Sequence, residues 1–345
     1  MIKKITLAII FVFFIGFVGW FAYQKLPPQS EKNENGKKFY PGEVVIGTET
    51  WPGYLLLYVA RDKGYFKEQG LNIKIVRYDT LGQLSKGYTA GKMQCRANLT
   101  LDAVNEHLDG LDHKVILAID YSNGSDAIMA RPEIQSVKDF QNKRVGYEPN
   151  TLEEFFVRWA LSENGLGISD VISVAGGPGE TAQQLQEGKL DVAVSHEPFL
   201  SRFVKSGTFH RVYSSADAPG LITDVVTCRT DFLETYPDSI QLILDAYFRA
   251  LNSWKENPNE AYAILAKEFG DTAESIAEQM KGITMLDERD NQTAFTFSAG
   301  LRSLYGNMRQ IGKFVRSQRQ AKLQQLDTDQ LIEPKFIRTI LNSKE

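Results

Sequence analysis

The chain has 345 residues, 43% of them hydrophobic and 24% charged, enough apolar material for one large domain or two ordinary ones, each with a core. A net charge of −4 and the lack of any basic stripe with interleaved aromatics exclude a general affinity for nucleic acid. The two cysteines, Cys95 and Cys228, stand far apart outside any CxxC spacing; they signal neither a zinc site nor a disulfide framework, and a single bridge between them is left open.

At the N-terminus Lys3 and Lys4 precede an uncharged run from Ile5 to Tyr23, about long enough to cross a bilayer as a helix. Such a run is a signal peptide or a membrane anchor. Phe, Val and Trp crowd its end where a small-x-small cleavage pattern would stand, and no cysteine is there for lipid attachment, so residues 1–23 are expected to be an uncleaved anchor. Positive charge on the short N-terminal side places the remainder outside the cytoplasm, in the periplasm or at the outer face of the membrane. Residues 24–43, polar with Pro and Gly, read as a linker.

From Val44 onward, strand-like and helix-like segments alternate, which predicts an α/β protein with largely parallel sheets. "EVVIGTE" is a strand running into the turn "TWPGY"; "YLLLYVARDKGYFKEQG" has helical spacing and stops at Gly70. "NIKIVRY" alternates like a strand, "LGQLSKGYTAG" is a short helix, and "KVILAID" and "DAIMA" are two buried strands. "SVKDFQNKRVGY" gives a helical turn and a strand, after which Asn150 or Thr151 caps a helix carrying Glu153 and Glu154 in its first turn. A faint internal echo aligns residues 84–104 with 181–200, setting Gly91 on Gly188 and Thr100 on Glu197. It suggests two comparable α/β units with strand ends facing one another. Beyond "TDVVTC" the chain turns predominantly helical.

These landmarks carry a likeness. "GTETWPGYLLLYVARDKGYFKEQGLNIKIV", followed by "DAIMARPEIQSVKDFQNKRVGY", "LQEGKLDVAVSHEPFLSRF" and the helical C-terminal third, resembles the solute-binding proteins of ABC importers, in the group associated with nitrate, sulfonates, taurine and thiamine-pyrimidine precursors. The resemblance implies a two-lobed type II periplasmic-binding-protein fold with a helical C-terminal segment. Lobe one would be residues 44–128 plus 226–345 and lobe two 129–225, with the ligand in the cleft and an ABC permease as partner. A monomer without cofactor is expected.

In such a fold, ligands sit at strand ends beside helix N-termini. Trp51 and Tyr54, after the first strand, are expected to form an aromatic wall, or else to pack under their own loop. Thr100 and Asp102 cap a helix and offer oxygens to the cleft. Ser122, Asn123 and Asp126 form a turn before one crossover, and Asp126 and Asp224 would meet at the cleft floor. Asn150 and Thr151 lie at a helix mouth that favours anions unless Glu153 and Glu154 fill it. Arg61 and Arg131 are the conceivable anion partners. Glu197 is a cleft residue, with Pro198 starting the next helix. Asp102, Asp126, Glu197 and Asp224 make an acidic set with little basic compensation, which favours a ligand bearing hydrogen-bond donors or positive charge, such as an aminopyrimidine or another nitrogenous compound, over a sulfonate.

Catalysis finds no frame: GxSxG, HExxH and SxxK nucleophile patterns are missing, and the four histidines are scattered. His107 and His113 read as solvated and His196 as a strand-end residue, so no metal or catalytic group is assigned. The fungal thiamine-pyrimidine synthase that resembles these binding proteins carries a cysteine-rich iron motif, and this sequence has none. A membrane-tethered ligand sensor built on the same fold is the non-enzymatic alternative to an importer component.

Overall fold

A computed structural model describes residues 38–197, 199–200, 208–318 and 327–343. The expected anchor over 1–23, most of the linker, and Pro198 lie outside the described residues. Among the described residues no helix is long and apolar enough to cross a membrane. The linker is shorter than 24–43: the Lys38 amide donates to Asp238 (2.6 Å), the Tyr40 amide donates to Ser239 Oγ (2.8 Å), and the Tyr40 ring sits edge-on to Phe232 and Tyr236. An aromatic side chain with a packing site attaches to the body instead of remaining tether.

Two sheets organise the chain. The first has six strands in the order β11-β4-β10-β3-β1-β2, formed by Glu43–Thr48 (β1), Asn72–Arg77 (β2), Cys95–Leu99 (β3), His113–Ser122 (β4), Thr223–Arg229 (β10) and Ile283–Met285 (β11). The second has five, β7-β6-β8-β5-β9, formed by Asp126–Ala130 (β5), Arg144–Tyr147 (β6), Ile172–Ala175 (β7), Val192–His196 (β8) and His210–Ser214 (β9). Only the outer half of each is parallel: β10 runs antiparallel to β3 and β4, and β5 antiparallel to β8 and β9. The expectation of largely parallel sheets fails because the chain passes between the sheets twice, and each returning strand enters its sheet reversed.

The faint internal echo has a structural counterpart, since the two sheets share one plan. β1 pairs with β2 and β3 as β6 pairs with β7 and β8, all parallel. Gly47 in β1 and Gly146 in β6 hold matching places, and a Cβ on either would run into the side chains beside it, 2.3 Å from Met93 Sδ or from Leu190 Cδ1. Both glycines are required by this close approach. Leu81–Thr89 follows β2 and Pro178–Gln186 follows β7 as the corresponding helices.

The passages lie between β4 and β5 and between β9 and β10, so β5 belongs wholly to the second sheet and β10 to the first. The lobe boundaries expected at 128/129 and 225/226 therefore shift to 123–125 and 215–222; "DAIMA" and "TDVVTC" are strands of the sheets themselves. The expected long helix 54–70 is also divided, into Leu55–Asp62 (α1) and Tyr65–Glu68, because Gly64 takes a left-handed φ of 75°. The C-terminal third packs its helices Pro237–Glu256 and Pro258–Phe269 on α1, and Leu304–Gln318 reaches the second half through Phe314 against Phe155, 5.1 Å between centroids.

The cysteines resolve the bridge left open above. Cys95 and Cys228 are direct partners across the antiparallel β3–β10 pair and form a disulfide. It closes a span of 133 residues that includes the whole second sheet. Reduction, or the double substitution of both cysteines by alanine, should lower unfolding stability by about 2–5 kcal/mol, read as a fall in the denaturation midpoint; an unchanged midpoint would show that the bridge adds nothing.

Candidate functional site

The strand ends that face one another between the sheets carry acids. Glu49 follows β1, Asp102 lies in the first turn of the helix Thr100–Leu108 after β3, Asp120 stands near the end of β4, and Asp224 near the start of β10. From the second sheet come Asp126 at the start of β5, His196 and Glu197 at the end of β8, and Glu153 in the first turn of Leu152–Glu163. They lie close enough to act on one another's charge. Asp126 acts on Asp120, Glu49 feels His196 and Asp102, and Asp126 feels His196, Glu153 and Glu197.

Asp120 and Asp224 are cross-strand partners, 0% and 2% exposed. Like charges directly opposite one another in an antiparallel pair repel, and burial adds the loss of hydration. Two aromatic donors answer part of that cost. The Tyr54 hydroxyl donates to Asp224 Oδ1 at 2.6 Å, and the Trp51 indole N–H points at both oxygens of Asp120 at 3.4 and 3.3 Å. Gly53 makes the indole placement feasible, because a Cβ there would fall 2.0 Å from Asp120 Oδ2 and 2.5 Å from Trp51 Nε1. The balance still favours protons. Burial, reinforced by Asp126 and only partly offset by Trp51, pushes Asp120 up to about 8, and burial with the Asp120 charge holds Asp224 well above the usual carboxylate range.

The second-sheet side is milder. Burial raises Asp126 to about 6 against the pull of His196 and Ser122, and raises Glu49 to about 7, again against His196. Asp126 is 5% exposed and its Oδ2 accepts no hydrogen bond from the described residues. His196 places Nδ1 2.8 Å from the Glu197 carbonyl oxygen and Nε2 3.6 Å from Glu153 Oε1. Burial opposes its charge, but Glu153 and Asp126 prevail and raise its pKa.

Of the sequence-predicted contacts, Trp51, Asp126, Glu197 and Asp224 come together here. Tyr54 is fully buried and supports Asp224 with its hydroxyl; it offers no open aromatic wall. Thr100 is buried as the first helical residue, and Asp102 reaches back to the Leu99 N–H, with burial raising its pKa. Ser122 is a buried joint: it hydrogen-bonds Ser215 Oγ (2.7 Å) and accepts from the Asp126 amide (3.2 Å). Asn123 is exposed and donates to Thr284 Oγ1. Asn150 is exposed with a left-handed φ of 64°, its amide donating to Glu154 Oε2, while Thr151 donates to the Glu148 carbonyl and accepts from the Glu153 amide. Glu154 and the Thr151 hydroxyl thus occupy donors of the helix mouth suited to an anion.

Arg61 is committed to Asp62 and Glu268, and Arg131 to the Leu190 carbonyl. His113 is not solvated as expected: it is fully buried at the start of β4, hydrogen-bonded to the Ala103 carbonyl oxygen, and burial pulls it down to about 3. Asp120, Glu49, His196 and Glu153 complete the cluster without having been chosen from sequence as contacts. The available signal for Asp120 was an acid closing the apolar strand "KVILAID", and for Glu49 an acid between a buried strand and "TWPGY". Among the described residues no group of three or more His, Cys, Asp and Glu side chains is arranged to hold a metal ion.

The NMT1/THI5-like family model matches residues 51–261. No curated protein matches in a sequence search. Among solved structures, the chain is similar to the periplasmic aliphatic sulphonate-binding protein of Escherichia coli, with a TM-score of 0.72 and 16% identity over 84% of this chain and 92% of that one. A putative sulfonate ABC transporter component, the periplasmic sulfonate-binding protein of Methylobacillus flagellatus, gives 0.70 and 16% over 88% and 94%. The desulfurization enzyme DSZB gives 0.64 and 14% over 88% and 100%. These likenesses establish the two-sheet periplasmic-binding-protein fold.

The raised carboxyls have a consequence for stability. In the unfolded chain Asp120 and Glu49 titrate near 3.8 and 4.5, whereas the folded protein holds their protons to about 8 and about 7. The folded form therefore binds more protons across that window, and its stability falls as pH rises from about 4 to about 8. Denaturant unfolding of ligand-free protein should be weaker at about pH 8 than at about pH 5 by on the order of 2 kcal/mol, and Asp120→Asn should flatten the dependence. A stability that climbs over the same range would contradict the protonated cluster.

Proposed function

The chain belongs to the NMT1/THI5-like family, and on that premise we propose that it is an exported solute-binding protein that encloses a small molecule between its two sheets for an ABC importer. The observation that carries this reading is the convergence of strand-end groups from both sheets, Trp51, Asp120 and Asp224 from one and Asp126, His196 and Glu197 from the other, at the junction of the two crossovers. Groups so arranged hold a ligand by closing on it, and relative motion of two lobes about two connections is a known way to do so. The sulphonate-binding relatives support the binding role by analogy of fold.

The ligand we favour is a nitrogenous compound rich in hydrogen-bond donors, pyrimidine-like in the first instance, rather than a sulfonate. An anionic head would face Asp120, Asp126 and Asp224, and donors of the helix mouth best suited to it are taken by Glu154 and the Thr151 hydroxyl. Export is supported by the apolar run 5–23, which would also anchor the protein, and by the disulfide, a bond that persists in oxidising compartments. The enzyme DSZB shares the fold, but among the described residues the site offers no nucleophile paired with a base, and both cysteines of this chain are tied in the disulfide.

Protein purified without denaturation should release an unchanged small molecule in native mass spectrometry. After that molecule is removed, adding it back should raise Tm with concentration and alter tryptophan fluorescence. Trp51→Phe should remove most of the fluorescence change and weaken binding by about 1 kcal/mol or more. Turnover of the molecule during incubation, or no stabilisation by any small molecule, would overturn the binding role.

A further inference from the structure

Asp120, Asp126 and Asp224 reach one buried region from three strands and from both sheets, yet the described residues bring them little positive charge. Among the described residues no lysine or arginine figures among the groups that act on any of the three. His196, which acts on Asp126, is engaged with Glu153 and the Glu197 carbonyl. Trp51 Nε1 and the Tyr54 hydroxyl serve Asp120 and Asp224 from the first-sheet side, and the Ser122 hydroxyl supports Asp126. Asp126 is still left with one oxygen, Oδ2, that is buried, has no donor among the described residues, and belongs to the side chain acting on Asp120. A buried acceptor without a donor among the described residues is a place for a ligand's donor.

We propose that the cleft takes the protonated nitrogen of an amine or amidine, seated among Asp120, Asp126 and Asp224 beside the Trp51 indole, and that seating it expels a proton from the carboxylates. This deepens the solute-binding reading above and rests on it. The exchange balances in charge: the ligand enters as a cation, one carboxylic acid becomes a carboxylate that accepts its N–H, and the released proton goes to solvent. A neutral donor would satisfy Asp126 but leave Asp120 and Asp224 dependent on their protons to lie opposite one another. A cation relieves both at once.

The charged and titratable groups around the seat come from every surrounding element: Glu49 after β1, Tyr54 ahead of α1, Asp102 after β3, Glu153 on the facing helix, His196 and Glu197 after β8, and Tyr247 on Pro237–Glu256. Apart from His196 and the two neutral phenols they are acidic, so the surroundings reinforce the preference. Burial holds protons on Asp120 up to about 8 and on Asp126 up to about 6. Affinity for the cation should therefore rise with pH by about tenfold per unit between about pH 6 and pH 8, the slope of one released proton.

The test uses the full purified chain and two matched sets of probes, benzylamine, benzamidine, putrescine and agmatine against benzyl alcohol and benzenesulfonate. Thermal shift ranks them, and calorimetric titration of the best binder in phosphate and in Tris, whose ionisation heats differ, counts protons released. The expected result is stabilisation by one or more cations and not by their isosteres, larger at about pH 8 than at about pH 6, with close to one proton released. Asp126→Asn should fold, weaken the cation at least tenfold and reduce the proton count. Proton release by the unsubstituted protein is a separate readout that does not depend on that variant. Stabilisation by benzenesulfonate alone would overturn the cation seat while leaving solute binding intact, as would cation binding with no proton exchange. Failure of every probe, together with no small molecule recovered from the native protein, would overturn both.

Discussion

The chain passes between its two sheets twice, and the centre of the molecule follows from that constraint. A single passage would leave two domains on a string. With two, β4 hands over to β5 and β9 returns to β10, so the strand ends bearing Asp120, Asp126 and Asp224 are brought to one floor. Ser215 fastens the two connections together, its hydroxyl accepting from the Gly124 amide (2.7 Å) and the Asp126 amide (3.4 Å) and bonding Ser122 Oγ. Asn307 fastens the second connection to the C-terminal helix by donating to the carbonyls of Gly220 and Leu221, both at 2.8 Å. Any relative movement of the sheets has to be absorbed in these few residues, and the carboxylates sit beside the pivot. Ligand charge and sheet position are therefore coupled through short distances.

Much of this plan was legible in the sequence, and the parts that were not share a cause. The alternation of strands and helices, the strand-end positions of Trp51, Asp126, Glu197 and Asp224, and the echo between residues 84–104 and 181–200 follow from local pattern, and local pattern survives folding. The reversed strands do not: nothing within "DAIMA" or "TDVVTC" states which way its neighbours run. Asp120 was passed over for the same reason. It ends an apolar strand in the manner of an ordinary turn residue, and only the register that sets it opposite Asp224 makes it a site residue. Tyr54 and His113 were placed too near solvent because their surroundings come from distant segments, β10 for one and the helix Thr100–Leu108 for the other.

The fold and the charge at its centre point to different ligands, and the distinction between them is physical. A sheet architecture shared with sulphonate-binding proteins specifies where a ligand sits and says nothing of its sign, since function is carried by the side chains grafted onto the fold. Two independent features support the proposed sign. One is the buried acidic floor; the other is the helix mouth at Thr151, where the Asn150 amide is taken by Glu154 and the Glu153 amide by the Thr151 hydroxyl. A single misplaced carboxylate would leave the question even, but two separate sites both closed to anions do not.

Burying acids opposite one another is costly, and a chain selected for stability alone would replace them with apolar residues of similar size. Their protons act as placeholders: they let the sheets approach without a ligand, at the expense of an unpaired acceptor on Asp126. The same arrangement discriminates among ligands. A molecule lacking the donor leaves Asp126 unpaired after closure, and an isostere of opposite charge adds repulsion to that loss, so rejection rests on unmet polar groups rather than on shape. Selectivity of this kind needs no large cavity. It needs an enclosed floor whose discomfort only one class of head group relieves.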